Sequence, residues 1–266
     1  VRFGVASVAA VGLLVALPLS ANAAGGPTVG LGTAKSFAVL AGTTVTNTGA
    51  TKISGDLGLS PGAAAAITGF PPGLVTNGSK HAADALAAQA QLALTTAYDD
   101  ASGRTPPTQT VSVLGGLTLG GGVYKSTQDL SLTGTLTLDG QNDPSSVFIF
   151  QAARALTVES AARVNLINGA NPCNVFWQVT SSATLGSTAN FSGTIMALTS
   201  ISLDTGATVD GRVLARNGAV TLQGNTIGSA QCVIGAAVPT ATPTPQVKKV
   251  PIGAVETGDG STSGGG

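Results

Sequence analysis

The chain holds one histidine, His81, two cysteines, Cys173 and Cys232, and 12 acidic against 12 basic residues. These side chains could in principle do acid–base, nucleophilic or metal chemistry, but their spacing offers little. Asp56, Asp204 and Asp210 fall in strand-like segments, and Arg212 is the only base near them in sequence. A polysaccharide-active β-helix needs clustered carboxylates with Arg or Lys, often with Ca²⁺. Asp99-Asp100 ends a helical stretch and reads as solvated. With the single His at the start of that stretch, neither a Ser-His-Asp nor a Cys-His set is expected. Two isolated cysteines and one His make a poor metal site. The expectation is a protein without catalysis, metal or cofactor.

What the chain offers instead is hydroxyls. "TGATVDGR" (Thr205 to Arg212) sets polar residues around one larger aliphatic, Val209. Charge is balanced and only 9% of residues are charged, which argues against a basic nucleic-acid footprint or steering to an anionic membrane. Mean hydropathy is positive, aromatics are 4% and glycines number 37, so the core must be small and aliphatic, as in a β-rich repetitive fold.

The first 23 residues read as a cleaved signal peptide. Arg2 supplies the positive end, "GVASVAAVGLLVALPL" the apolar region, and Ala21-Asn22-Ala23 the A-x-A site. That run is shorter than the roughly 18 residues a membrane span needs, and nothing later could span. Export and no membrane partner after cleavage are expected. In an oxidising compartment Cys173 and Cys232 can pair, and a disulfide is favoured over free thiols. It would close 59 residues (232 − 173 = 59), worth about 4 kcal/mol by chain entropy.

"ANFSGTIMA" (Ala189 to Ala197) repeats as "ATVDGRVLA" (Ala207 to Ala215) after 18 residues (207 − 189 = 18). Trp177, Ile195 and Val213 keep that step, as do Phe191, Val209 and Ile227; Leu185, Leu203 and Leu222 form a third column. Three inward columns per period predict three short strands per coil of a solenoid. Side chains alternate along a strand, so outward columns lie between them. Thr184, Ser202 and Thr221 form one. Asn190, Thr208 and Thr226 form another, flanked by Ser192 and Asp210. On the third face Met196 and Leu214 point outwards and need a cover.

Residues Ser79 to Gly103 predict that cover: an alanine-rich helix with Ser79 as N-cap, Gly103 as the C′ residue and Pro106 and Pro107 beyond. Ala82, Leu86, Ala90, Ala93 and Ala97 would form its packing stripe. His81, at its start, is given no function. Thr48-Gly49-Ala50-Thr51 and "TKISGDLGL" (Thr51 to Leu59) echo the TGAT stretch, so the chain starts a solenoid, leaves it for the helix, and returns at "LTLGGGVYKS". The domain is taken as residues 24–236. Residues 237–266 are Pro/Thr- and then Gly/Ser-rich and read as a linker. Within them "AVETG" is like an x-A-x-T-G cell-wall sorting signal, with a chance match preferred because the usual apolar span and basic tail do not follow.

Together "SFAVLAGTTVTNTG", "ISGDLGLSPG", "ITGFPPG", "GGVYKS", "LTGTLTLDG", "VFIFQ", "NVFWQV", "SSATLG", "FSGTIMA" and "TGATVDGRVLA" resemble the microbial ice-binding protein family, over about Leu31 to Ile227. The resemblance implies a mainly β fold: a discontinuous right-handed β-solenoid of triangular cross-section with one long α-helix alongside. It implies ice as the partner. Some members carry T-[A/G]-x-[T/N] on the ice-binding face. Thr205 to Thr208 and Thr48 to Thr51 fit this pattern, Ser187-Thr188-Ala189-Asn190 fits loosely, Gln223-Gly224-Asn225-Thr226 keeps only Gly and the last Thr, and Ser160-Ala161-Ala162-Arg163 loses it. The expected face is therefore Thr48, Thr51, Thr188, Asn190, Ser192, Thr205, Thr208 and Thr226, with Thr184, Ser202 and Thr221 as second choice. A secreted monomer is expected. The alternative is a cell-surface adhesin or spacer that binds glycan or another surface, although Trp177 sits in an inward column and few aromatics are left for sugar stacking.

Overall fold

A computed structural model describes residues Gly26–Gly228. The leader, the Pro/Thr and Gly/Ser-rich segment and Cys232 lie outside the described residues. Short strands stack in parallel into a discontinuous right-handed β-solenoid of triangular cross-section. One face runs Leu130–Leu132, Leu156–Val158, Ala183–Leu185, Ile201–Leu203, Val220–Gln223, Val45–Thr48 and Ile67–Thr68. The other two faces share long bent strands: Asn190–Ala197 and Thr208–Ala215 each turn a corner, so one half lies on each face.

The inward columns match the 18-residue periodicity. Trp177, Ile195 and Val213 are consecutive register partners, as are Phe191, Val209 and Ile227. All six are 2% exposed or less. Aromatics extend the core: Phe150 stacks on Trp177 with ring centroids 4.1 Å apart, Tyr124 on Phe150 at 5.2 Å, and Phe191 lies 4.7 Å from Trp177. The buried indole N–H of Trp177 donates to the Ser192 carbonyl at 3.0 Å and the Tyr124 hydroxyl donates to the Gly120 carbonyl at 2.6 Å, which satisfies the polar atoms of this stack.

Stacking order departs from chain order at one place. Phe37–Ala41 pairs with Thr208–Ala215 on one side and Asp56–Leu59 on the other, so the first coil docks on the last. The chain then runs through Lys80–Ala82, enters the helix α1 (Ala85–Gly103), and restarts with Gln109–Thr110 at the opposite end of the sheet. Nineteen residues span about 28 Å, or roughly six strand spacings of about 4.8 Å. The helix is thus both connector and lid. Leu40, Ile149, Phe176, Met196 and Leu214 project from the sheet onto Ala90, Leu94, Ala97, Tyr98 and Ala101. Two glutamines fix the contact. Gln151 Nε2 donates to the carbonyls of Ala101 and Arg104 at 2.8 and 3.0 Å, and Gln178 Nε2 donates to the Tyr98 hydroxyl at 2.7 Å.

The helix begins later than its composition suggests. Lys80–Ala82 extends the sheet edge beside Leu57, Gly58 and Leu59. Asp84, not Ser79, is the N-cap: its carboxylate accepts from the Ala87 N–H at 2.8 Å and also bonds His81 Nδ1 at 2.8 Å. Gly103 is the last helical residue and Arg104 the C-cap. Backbone pairing with a preformed edge therefore outweighs alanine's helix propensity over 79–84. The later start also rotates the packing stripe. Ala87, Ala90, Leu94, Ala97, Tyr98 and Ala101 face the sheet, whereas Leu86 is 52% exposed and Ala82 is in the strand. Leu94→Ala should cost about 2–5 kcal/mol in urea unfolding, and Leu86→Ala should stay within about 0.5 kcal/mol of wild type.

Candidate functional site

The three faces differ in what points outwards. On the face opened by Leu130–Leu132, each strand reads aliphatic, hydroxyl, aliphatic or nearly so. The aliphatics point inwards: Leu130, Leu132, Leu156, Val158, Ile201 and Leu203 are all 1% exposed or less. The hydroxyl residues Ser131, Thr157, Thr184, Ser202, Thr221, Thr46 and Thr68 are successive register partners, seven rungs without a break. At about 4.8 Å per strand the ladder is roughly 29 Å long. Val113 continues it at one end, and Glu159 and Asp204 lie along its corner edge.

The adjoining face presents Asn190, Thr208 and Thr226 in register, but this run is short. Arg163 precedes Asn190, Lys52 follows Thr226, and Leu74 follows Lys52. Its second outward column is covered in part. The 168–174 segment packs on the strands there, so Ser192 is only 6% exposed and Asp210 borders a small cavity with Leu166, Gly169, Ala170, Asn171 and Pro172. The third face is the one under the helix.

The corner between the two open faces explains TGATVDGR. Thr205 ends one face and Thr208 opens the next. Gly206 between them has φ +74°, the left-handed turn that glycine adopts without cost. Ala207 is fully buried and fills the corner from inside, as Ala162 and Ala189 do in neighbouring coils. Val209 points into the core. Gly211 sits against the Gly193 carbonyl so closely that a Cβ would overlap it. Thr188 takes the position of Gly206 one coil away, with φ +57°, an unusual backbone for a β-branched residue.

A family model described as ice-binding-like matches residues 39–228. The chain belongs to the ice-binding-like family. It is similar to an ice-binding protein of Nostoc sp. (strain HG1), 48% identical over 202 residues, with 75% of this chain and 74% of that protein covered. An ice-binding protein of Flavobacterium frigoris (strain PS1) is 38% identical over 213 residues, with 75% of each covered. Among solved structures, an ice binding protein from an Antarctic biological consortium superposes with a TM-score of 0.74 at 51% identity, covering 80% of this chain and 95% of that one. One from Antarctomyces psychrotrophicus gives 0.72 at 42% identity, covering 76% and 98%.

Two residues expected on the family's binding surface are inside. Thr51 is fully buried: it immediately precedes Lys52, which pairs with Thr226 and through it lines up with Thr208, so Thr51 takes the inward corner place of Ala207 and Asn225. Ser192 is buried by the 168–174 segment. Thr48, Thr188, Asn190, Thr205 and Thr226 are exposed and Thr208 is partly so, but they divide between the corner and the short run rather than forming one plane. The second-choice residues Thr184, Ser202 and Thr221 sit at the centre of the seven-rung ladder. Ser131, Thr157, Thr46 and Thr68 were not expected there. The signal for Ser131 and Thr157 is the repeated tripeptide Leu-Ser-Leu, Leu-Thr-Val, Ala-Thr-Leu, Ile-Ser-Leu and Val-Thr-Leu, whereas Thr46 and Thr68 stand in Val-Thr-Asn and Ile-Thr-Gly, which lack the second aliphatic. Loops after Asp139 and Ile167 lengthen the coils that carry the first two, which hides them from a search at constant period.

Cys173 lies in the turn Pro172–Asn174, where its N–H donates to Asn171 Oδ1 at 2.9 Å, and it is not a free thiol. No group of three or more His, Cys, Asp or Glu able to hold a metal occurs among the described residues. Asp56 accepts from the Ser79 N–H at 2.9 Å, while the buried Arg212 donates through Nε to the Lys35 carbonyl at 2.9 Å. Asp56 and Arg212 thus serve separate backbone groups.

Burial raises the Asp210 carboxyl above its ordinary value, and Oδ1 has no hydrogen-bond partner. A carboxyl raised on folding favours the native state while protonated, below its unfolded value of 3.8; that contribution is lost as pH rises through the folded value. Asp210→Asn should therefore be more stable than wild type at pH 7, with the gap closing as melts are taken towards and below pH 3.8.

Proposed function

We propose that the protein adsorbs to ice through the hydroxyl ladder and the corner beside it, and so restrains the growth or recrystallisation of ice. The observation that carries this is the unbroken register of Ser131, Thr157, Thr184, Ser202, Thr221, Thr46 and Thr68. A crystal lattice is recognised by repetition. Rungs about 4.8 Å apart, with outward residues about 6.8 Å apart along each strand, make a two-dimensional grid. Threonine suits it: the hydroxyl holds an ordered water, the methyl excludes a disordered one, and a stiff χ1 limits the entropy lost on contact. Each contact is weak, and preorganisation by the buried aliphatics on either side lets many act together. The names of the Nostoc and Flavobacterium relatives support the same reading. It needs no acid, base, metal or cofactor, and assigns the protein no catalytic step.

The ladder face is preferred over the Asn190, Thr208 and Thr226 run because Arg163 and Lys52 bound the latter within three rungs. On single ice crystals the wild type should show thermal hysteresis and faceted growth. Ser202→Tyr, at mid-ladder, should lose most of that activity while melting close to wild type. Thr208→Tyr should lose less than half. Round, unhindered crystals with the wild type would reject ice as the ligand. A larger loss in Thr208→Tyr than in Ser202→Tyr would move the contact to the adjoining face.

A further inference from the structure

The first coil meets the last one non-covalently, and the ladder crosses that seam between Thr221 and Thr46. Three buried polar residues gather there in columns that are otherwise apolar. Asn47, 6% exposed, is the register partner of Leu222 and stands in the leucine column. Asn225 and Thr51, 1% and 0% exposed, continue the corner column of Ala162, Ala189 and Ala207. A polar group in a leucine or alanine column destabilises unless every hydrogen bond is made, and here they are made across four coils. Thr51 Oγ1 donates to Asn47 Oδ1 and accepts from the Asn225 N–H at 3.0 Å. Asn47 Nδ2 donates to the carbonyls of Gly49 and Gly69 at 2.9 and 2.8 Å. Asn225 Nδ2 donates to the carbonyls of Asp204 and Ala207 at 2.8 and 3.2 Å, and its Oδ1 accepts from the Gln223 N–H.

We infer that Asn47, Thr51 and Asn225 are positioning residues for the ice-contacting surface: they lock the seam so that Thr46 and Thr68 stay coplanar with the rungs from Ser131 to Thr221. This rests on the proposed ice-binding role of the ladder. Apolar stacking alone holds coils together but tolerates small slides and tilts, whereas directional hydrogen bonds to the corner carbonyls of successive coils do not. The lock belongs at this seam because no peptide bond joins the two coils there. Without it the ladder is cut from seven rungs in register to five.

Thr51→Val removes the hydroxyl at nearly constant volume, and Thr51→Ser retains it. Ile195→Val, in the core away from the seam, serves as a control for general stability. The full protein and these variants would be compared by thermal hysteresis, thermal melting and amide exchange. Thr51→Val should lose more than half of the hysteresis. Its exchange over Val45–Thr48 should be about tenfold faster, the effect of one buried group left unsatisfied, with Ile201–Leu203 unchanged. Thr51→Ser should behave as wild type, and Ile195→Val should keep its activity. Full hysteresis in Thr51→Val, or an equal loss in Ile195→Val at a similar melting temperature, would overturn the inference. A wild type that leaves ice unshaped would reject the ice-binding reading itself, and this role with it.

Discussion

No coil of this solenoid can keep its own aliphatic side chains from water, because three short strands enclose too little volume. Each coil is dry only when another lies on it in register, so parallel register is the condition on which everything else rests. A slip of one residue would send Trp177, Ile195 or Leu203 outwards and bring an outward neighbour such as Gln178, Thr194 or Ser202 inside. The same register that fixes the inward columns fixes the outward ones without further stabilisation. The ladder from Ser131 to Thr68 is as regular as the core beneath it because a single set of backbone hydrogen bonds spaces both.

The three faces are put to different uses by the residues between the inward ones. Where these are Leu40, Ile149, Phe176, Met196 and Leu214, the sheet needs a second layer, and α1 supplies it. The helix is long enough to carry the chain from one end of the stack towards the other, so covering the apolar face and reconnecting the coils are met by one element. Gln151 and Gln178 anchor it through otherwise unmet helix-end carbonyls and the Tyr98 hydroxyl, which leaves the two remaining faces open.

Much of the fold is legible in the sequence because a solenoid writes its register as a period. The repeat from Ala189 to Ala215 contains two successive coils with no inserted loop, and its columns pair as the spacing implies. Legibility fails where the period is broken. The loops following Asp139 and Ile167 displace Ser131 and Thr157 from any constant-step alignment, so the two outer rungs at that end carry no 18-residue signal. Thr51 fits the TGAT pattern letter for letter, yet the register aligns Lys52 with Thr208 and leaves Thr51 at the inward corner place of Ala207. The start of α1 at Ala85 is illegible for a different reason. Alanine composition reports local propensity, while Lys80–Ala82 is decided by the open sheet edge of Leu57, Gly58 and Leu59, which lies outside the helical stretch in sequence.

β-Propensity by itself would explain outward threonines on any strand, so the composition of the ladder face proves little. The comparison within one molecule is more telling. The adjoining face belongs to the other sheet but is built from the same stacked parallel coils, and it admits Arg163, Lys52 and Leu74 in its outward column. Folding therefore does not require an outward column to be hydroxylic throughout. On the ladder face seven consecutive rungs are hydroxylic, and they remain so across the seam, where residues far apart in the chain must agree. Uniformity that folding does not demand, kept in register across a chain discontinuity and backed there by a buried polar lock, is what recognition of a repeating surface requires.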